Sequence, residues 1–121
     1  MGFIKMIEFT VNGDIPSIKN TLRVGKGGVF FHRGDGVRKY KKLFLAQCPV
    51  WAKQNLAGKL AVELKIYKKD NRKDGCNLSG TVYDALQFSG VIKNDRSLVE
   101  RHEFDYIDKG NPRLEVKLWG I

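Results

Sequence analysis

With 121 residues, of which 42% are hydrophobic and 11% aromatic, the chain can bury one two-layer core and is not a disordered tail. It has no run of about 18 apolar residues, which excludes a transmembrane helix. Cys48 and Cys76 make neither a disulfide framework nor a CxxC or Cys/His cluster, which sets aside a structural zinc site. Twenty-two Lys and Arg against thirteen Asp and Glu leave a formal charge of +9, so the expected partner is a polyanion, nucleic acid before a membrane surface.

Residues 1–10 lack the long apolar centre of a signal peptide and read as part of the mature fold, and a reduced, cytoplasmic location is expected. Ile7, Phe9 and Val11 alternate with Glu8 and Thr10, the pattern of a half-buried strand. Residues 12–28, with Gly13, Pro16, Gly25, Gly27 and Gly28, lack sustained periodicity and are expected to form a long loop. Val29 to His32 is a short strand candidate. From Val37 onward Tyr40, Phe44, Cys48 and Trp51 recur at three- or four-residue spacing, predicting a helix that Pro49 kinks or splits. Trp51 and Trp119 are expected to anchor the core or a dimer interface. Leu60, Val62, Leu64 and Ile66 alternate with Ala61, Glu63, Lys65 and Tyr67 and predict a strand.

A second helix is predicted from about Asn77 to Ser89, with Asn77 as its cap, Leu78, Val82, Ala85 and Leu86 as its packing face, and Gly90 at its end. Leu98–Ile107 and the alternating Leu114, Val116 and Leu118 predict two more strands, joined by a turn at Lys109-Gly110-Asn111-Pro112. Strands with two helices between them in this order predict an α+β two-layer domain over residues 1–121.

The densest chemical signal lies between these helices and strands, in Asp74-Gly75-Cys76-Asn77-Leu78, then Asp84-Ala85-Leu86, then Asn94-Asp95. Asp74 precedes a helix and Asp95 follows it. A helix of about twelve residues spans about 18 Å, so the loops must fold back for the two carboxylates to meet. Convergent carboxylates suit a hard divalent cation such as Mg²⁺, because oxygen is the ligand it prefers. The alternative is that each Asp shapes a turn.

This stretch resembles the RusA family of Holliday-junction resolvases. Members carry Asp-x-Asp-Asn-Leu opening a helix, Asp-Ala-Leu within it, a Gly near its end and a further Asp about twenty residues after the first. The resemblance extends to the N-terminal part: a strand, Gly13 to Pro16, a basic Gly-rich loop, a short aromatic strand and a helix containing Tyr40. It implies a small mixed β-sheet with two helices packed on one face. It also implies a Mg²⁺-dependent endonuclease that acts as a homodimer and nicks four-way branched DNA. Asp74 and Asp95 match the family's first and last metal-binding aspartates, and Asn77 the residue that orders the motif.

Two positions depart from the pattern. Cys76 stands where the family has its middle aspartate, and Gly80 where it has a helix lysine. Sulfur is a poor donor to Mg²⁺, which leaves three expectations open. Another acid substitutes, with Asp70, Glu63 and Asp84 the candidates in that order; or a softer ion such as Mn²⁺ or Zn²⁺ is used; or the protein binds junctions with weakened or lost cleavage. Asp84 fits a helix surface better than a ligand set.

The basic residues complete the picture. Lys19, Arg23, Lys26, Arg33, Arg38, Lys39, Lys41 and Lys42 are opposed only by Asp35, and Lys65, Lys68, Lys69, Arg72 and Lys73 lead into Asp74. Cations leading to a metal site attract and position phosphates. On that ground Lys19, Arg23, Lys26, Arg33, Arg38, Lys69, Arg72 and Lys73 are the expected DNA contacts, against the alternative of a solvated charged face. Phe30, Phe31 and Tyr40 interleave with this stretch and read as core before a wedge into an opened junction.

Overall fold

A computed structural model describes residues 6–16, 21–25, 28–32, 35–71 and 78–121, with the backbone alone for 21–25, 28–32 and 35. In chain order the elements are β1 (Ile7–Asn12), β2 (Thr21–Gly25), β3 (Gly28–His32), α1 (Asp35–Gln47), β4 (Leu60–Lys68), α2 (Leu78–Phe88), β5 (Leu98–Ile107) and β6 (Arg113–Gly120). Short 3₁₀ turns at Val50–Ala52 and Asp95–Ser97 precede β4 and β5.

Four strands form one mixed sheet in the order β1-β6-β4-β5. β6 runs antiparallel to both of its neighbours, whereas β4 and β5 are parallel. Parallel neighbours cannot be joined by a tight turn and need a crossover connection, and α2 supplies it. The alternation read from the sequence determines which side of the sheet each strand buries. Ile7, Phe9 and Val11 of β1, Val62, Leu64 and Ile66 of β4, and Leu114, Val116 and Leu118 of β6 join a single core with Tyr40, Phe44 and Cys48 of the first helical region and Leu78, Val82, Ala85 and Leu86 of α2. Phe44 sits at its centre, edge-on to Phe9 at 5.7 Å and to Tyr40 at 6.3 Å between ring centroids. Both helices thus cover one face, and Glu63, Lys65, Tyr67, Glu115, Lys117 and Trp119 lie on the other, half-exposed.

α1 is tied to β1 by a side chain acting as a strand partner. The Gln47 amide donates from Nε2 to the Asn12 carbonyl at 2.9 Å, and its Oε1 accepts the Asn12 N–H at 2.8 Å. Gly13, next along, has φ +120°, and a Cβ there would lie 2.9 Å from Leu43 Cδ2, so only glycine fits this turn.

Several expectations change. Residues 12–28 are not one long loop: β2 pairs antiparallel with β3, Thr21 opposite His32 and Val24 opposite Val29, as a separate two-stranded sheet. Leu22 and Val24 do alternate with Thr21, Arg23 and Gly25, but two apolar residues among glycines are too short a pattern to mark a strand, and the pairing with β3 reveals it. Pro49 does split the helical region, leaving α1 and the 3₁₀ turn. Trp51, on that turn, is 56% exposed and anchors no core. Tyr40 is buried at 3% exposure and is not available as a wedge. α2 is seen from Leu78, and its expected cap Asn77 lies outside the described residues.

The turn at Lys109–Pro112 joins β5 to β6 as expected, but β4 lies between those two strands. Arg113 secures this passage: it donates to Asp108 Oδ2 at 2.8 Å and to Glu115 Oε2 at 3.2 Å, and its guanidinium lies 3.8 Å above the Tyr67 ring.

Because Phe44 is fully buried against two aromatic rings, Phe44→Ala is expected to cost about 3–5 kcal/mol of stability, measured by urea denaturation.

Candidate active site and nucleic-acid surface

α2 carries the best-defined part of the motif. Ala85 and Leu86 are fully buried and Asp84 points to solvent, so Asp-Ala-Leu is here two packing residues beside a surface carboxylate. The helix closes at Gly90, whose φ of +81° is one that glycine adopts at no steric cost. Gly80 lies in the first turn of α2. Asp74, Cys76 and Asn77, with Arg72 and Lys73, fall outside the described residues.

Asp95 opens the 3₁₀ turn that leads into β5, and its backbone is held from both directions. Asn94 caps the turn, its Oδ1 accepting the Arg96 N–H at 3.0 Å. The Asp95 N–H donates to Gln87 Oε1 at 3.3 Å, and the Asp95 carbonyl accepts from Arg101 Nη2 at 3.2 Å. Arg101 also donates through Nε to the Leu98 carbonyl at 3.0 Å and lies 4.5 Å over the Tyr83 ring. The Tyr83 hydroxyl in turn donates to Glu103. A chain of contacts from α2 through Tyr83, Arg101 and Gln87 therefore fixes where Asp95 starts β5. Sequence reading missed Gln87, Arg101, Tyr83 and Glu103. For Gln87, Arg101 and Glu103 the one available signal was their lying within eight residues of Asp95, which carries little specificity, and buried Tyr83 reads as a packing residue of α2.

The other candidate acids stand apart from Asp95. Asp70 is just past the C-terminal end of β4, whereas Asp95 precedes β5, which runs parallel with Leu98 beside Leu60. The nine residues of β4 separate these ends, about 30 Å of strand. Glu63 is on the sheet face away from the helices, with its carboxylate 3.8 Å from Lys117 Nζ. Among the described residues there is no group of three His, Cys, Asp or Glu side chains able to hold a metal ion. The donor chemistry of Asp95 suits a hard cation, but the described residues of one chain do not bring a second candidate acid to it.

Of the expected DNA contacts, Arg38 is exposed on α1 beside exposed Lys39 and Lys42, and Lys69 is exposed beyond β4. Lys41 instead leans across to α2, its Nζ 5.9 Å from the centroid of the Phe88 ring. Arg23 lies in β2 opposite Phe30. Lys19, Lys26 and Arg33 lie outside the described residues.

The family model for endodeoxyribonuclease RusA matches residues 16–119. The chain belongs to the RusA family. The match takes in the β2–β3 hairpin, both helices, Asp74, Asp95 and all but the first strand of the sheet. RusA proteins are endonucleases that act on branched DNA junctions and generally depend on a divalent metal. No curated protein matches the chain significantly. No helix among the described residues is long and apolar enough to cross a membrane.

Burial, followed by the Glu103 carboxylate, holds the Tyr83 phenol above its ordinary range. The proton is bound more tightly in the folded state, so the associated stability is complete below the unfolded value of about 10 and is lost as pH rises through the folded value. Urea denaturation between pH 8 and 11 should show a smaller alkaline loss of stability in Tyr83→Phe than in the parent.

Proposed function

We propose that the protein is a Holliday-junction resolvase that nicks four-way DNA by metal-assisted phosphodiester hydrolysis. It would act as a cytoplasmic homodimer, with Asp74 and Asp95 as the metal-holding carboxylates. The observation that carries this reading is the motif set in its family context: Asp74, Asn77-Leu78, Asp84-Ala85-Leu86, Gly90 and Asn94-Asp95 in order, within a chain matched by the RusA family over residues 16–119.

A bound Mg²⁺ or Mn²⁺ would ease deprotonation of a coordinated water and neutralise charge that develops on the phosphodiester. The residues of this chain do the rest. Asp74 and Asp95 supply carboxylate oxygens, with Asp70, four residues before Asp74 in sequence, the acid proposed to compensate for Cys76; Glu63, on the other sheet face beside Lys117, is not part of the proposal. Asn77 orders the turn before α2. Gln87 and Arg101 hold the backbone of Asp95 and so limit where its carboxylate can go. Lys19, Arg23, Lys26, Arg33, Arg38, Lys69, Arg72 and Lys73 engage phosphates, where charge supplies affinity and placement but not sequence preference.

A second reading rests on Cys76 and Gly80. With a thiol in place of one oxygen donor and no helix lysine, the protein binds junctions and cuts them slowly or not at all.

Cleavage of a labelled mobile junction in Mg²⁺ and then Mn²⁺, with a binding shift in parallel, separates the two readings. Paired symmetric nicks support the resolvase, and structure-selective binding without nicks supports the second reading. Asp95→Asn is expected to reduce nicking by more than about 100-fold, beyond what loss of a metal ligand's outer partner causes, while junction binding is retained. Cys76→Asp is expected to raise Mg²⁺-dependent nicking, and an unchanged rate would mean that another acid already fills the role or that the site does not depend on a metal. Binding should weaken linearly in log–log form with rising salt.

A further inference from the structure

We propose that the end of the sheet at which Asp95 stands is a contact surface for branched DNA separate from the cations of α1. Lys59, Lys93 and Arg96 hold backbone phosphates there, and the exposed Trp51 ring stacks on a base at the branch point. The inference rests on the reading above that the protein binds branched DNA, and not on cleavage.

Three stretches of chain meet at this end. Residues 48–59 lead from α1 into β4, residues 89–97 lead from α2 into β5, and β6 finishes there, with Leu60 opposite both Leu98 and Gly120. Backbone hydrogen bonds join them. The Asn55 N–H donates to the Gly90 carbonyl at 2.8 Å and the Leu56 N–H to the Val91 carbonyl at 3.0 Å. The Lys93 N–H donates to the Leu56 carbonyl at 2.9 Å, and the Ile121 N–H to the Lys59 carbonyl at 3.0 Å. Arg96 is held in turn by the Asn94 side chain. Lys93, two residues before Asp95, Arg96, one residue after it, and Lys59 therefore rise from a bonded frame rather than from slack loops.

Charge separates this end from the opposite one. Residues 48–59 and 89–97 carry Lys53, Lys59, Lys93 and Arg96 against Asp95 alone. The described residues that follow β4 and β5, 69–71 and 108–112, carry Lys69 and Lys109 against Asp70 and Asp108 and are balanced. Lys59, Lys93 and Arg96 are exposed, and among the described residues none of them is in an ion pair. A carboxylate by itself repels a phosphodiester, and cations on either side of Asp95 offset that repulsion.

The second observation is apolar. Val50 and Trp51, on the 3₁₀ turn of the first stretch, are 83% and 56% exposed, whereas Ala52 beside them is fully buried. The Gln54 side-chain amide donates to the Trp51 carbonyl at 2.9 Å. The turn is thus anchored by its next residue and by Gln54, and the indole is left in water. An exposed ring beside uncommitted cations is how proteins hold nucleic acid outside a regular duplex, with the ring on a base face and the cations on phosphates. Bases inside a duplex are stacked on one another already. A branch point interrupts the stack and offers an uncovered base face, so the ring contributes to junctions and not to plain duplex.

Affinity for a four-way junction and for a duplex of the same sequence, measured by fluorescence anisotropy without divalent metal, tests both parts. Lys59→Gln, Lys93→Gln and Arg96→Gln should each lower the slope of log affinity against log salt by about 0.9. Lys109→Gln and Lys117→Gln, which remove the same charge from the far turn and the open sheet, should leave it unchanged. Equal losses in both sets, or no loss in the first, overturn the phosphate contacts. Trp51→Ala should weaken junction binding about tenfold and duplex binding less than about twofold. Its salt slope and circular dichroism should not change, and Trp51→Phe should keep most of the affinity. In a Trp119→Phe background, saturating junction should quench the remaining indole emission and shield it from acrylamide. An indole that stays equally accessible in the complex, or a Trp51→Ala loss that is the same for junction and duplex, overturns the stacking. If the parent binds neither DNA at about 50 mM salt, the DNA-binding reading itself fails and this surface with it.

Discussion

The parallel pairing of β4 with β5 is the constraint that organises the rest of the molecule. Two parallel strands need a return path along the sheet, and α2 is that path. The helix therefore has to be apolar on the side facing β4, which accounts for buried Val82, Ala85 and Leu86, and has to leave its other side to solvent, which accounts for Asp84. The end of β4 lies at one end of the strand pair, and the turn that follows α2 leads into β5 at the other. Asp70, just past β4, and Asp95, just before β5, are held apart by the same pairing that makes the sheet possible.

Much of the fold was readable because burial imposes a period. β1, β4 and β6 each bury one face, and their apolar residues fall at every second position. The Tyr40–Phe44–Cys48 stripe marked α1 in the same way. β2 was missed because its alternation is carried by Leu22 and Val24 alone, within a glycine-rich stretch, and its identity depends on a partner strand in the same hairpin. The order of the sheet was also not readable. That β6 inserts between β1 and β4 is a matter of long-range pairing, and the turn at Lys109–Pro112 looks the same whether it joins neighbours or steps over a strand. For the candidate site, the motif marked Asp95 but not its supports. Gln87 and Arg101 act through a side-chain amide and a guanidinium on backbone groups, and neither residue type at that spacing announces such a role.

Charge is unevenly shared between the faces. On the sheet face away from the helices, cations and anions neutralise one another: Lys117 lies 3.9 Å from Glu8 and 3.8 Å from Glu63, Arg113 binds Asp108 and Glu115, and His102 contacts Glu100 at 2.8 Å. Each such pair contributes little to stability in water, but together they leave that face without a strong field of either sign. Among the described residues, exposed cations stand on α1 at Arg38, Lys39 and Lys42 and beyond β4 at Lys69. A polyanion approaching the molecule is drawn to the helical side and the ends of the strands, not to the open sheet.

The pairing of β1 with β6 joins Ile7 to Leu118, and β1 has no other neighbour in the four-stranded sheet. Its apolar face therefore stays uncovered by sheet until β6 has been laid against β4, with more than a hundred residues in between. Contacts so distant along the chain form late and slowly, after the entropy of closing the intervening loop has been overcome. During that interval α1 can cover the face of β1, where Phe9 meets Phe44, but the edge that β6 will pair stays open. For this molecule one hazard of misassembly therefore lies in the six residues of β1 near the amino terminus, whose backbone edge waits for the last strand of the chain.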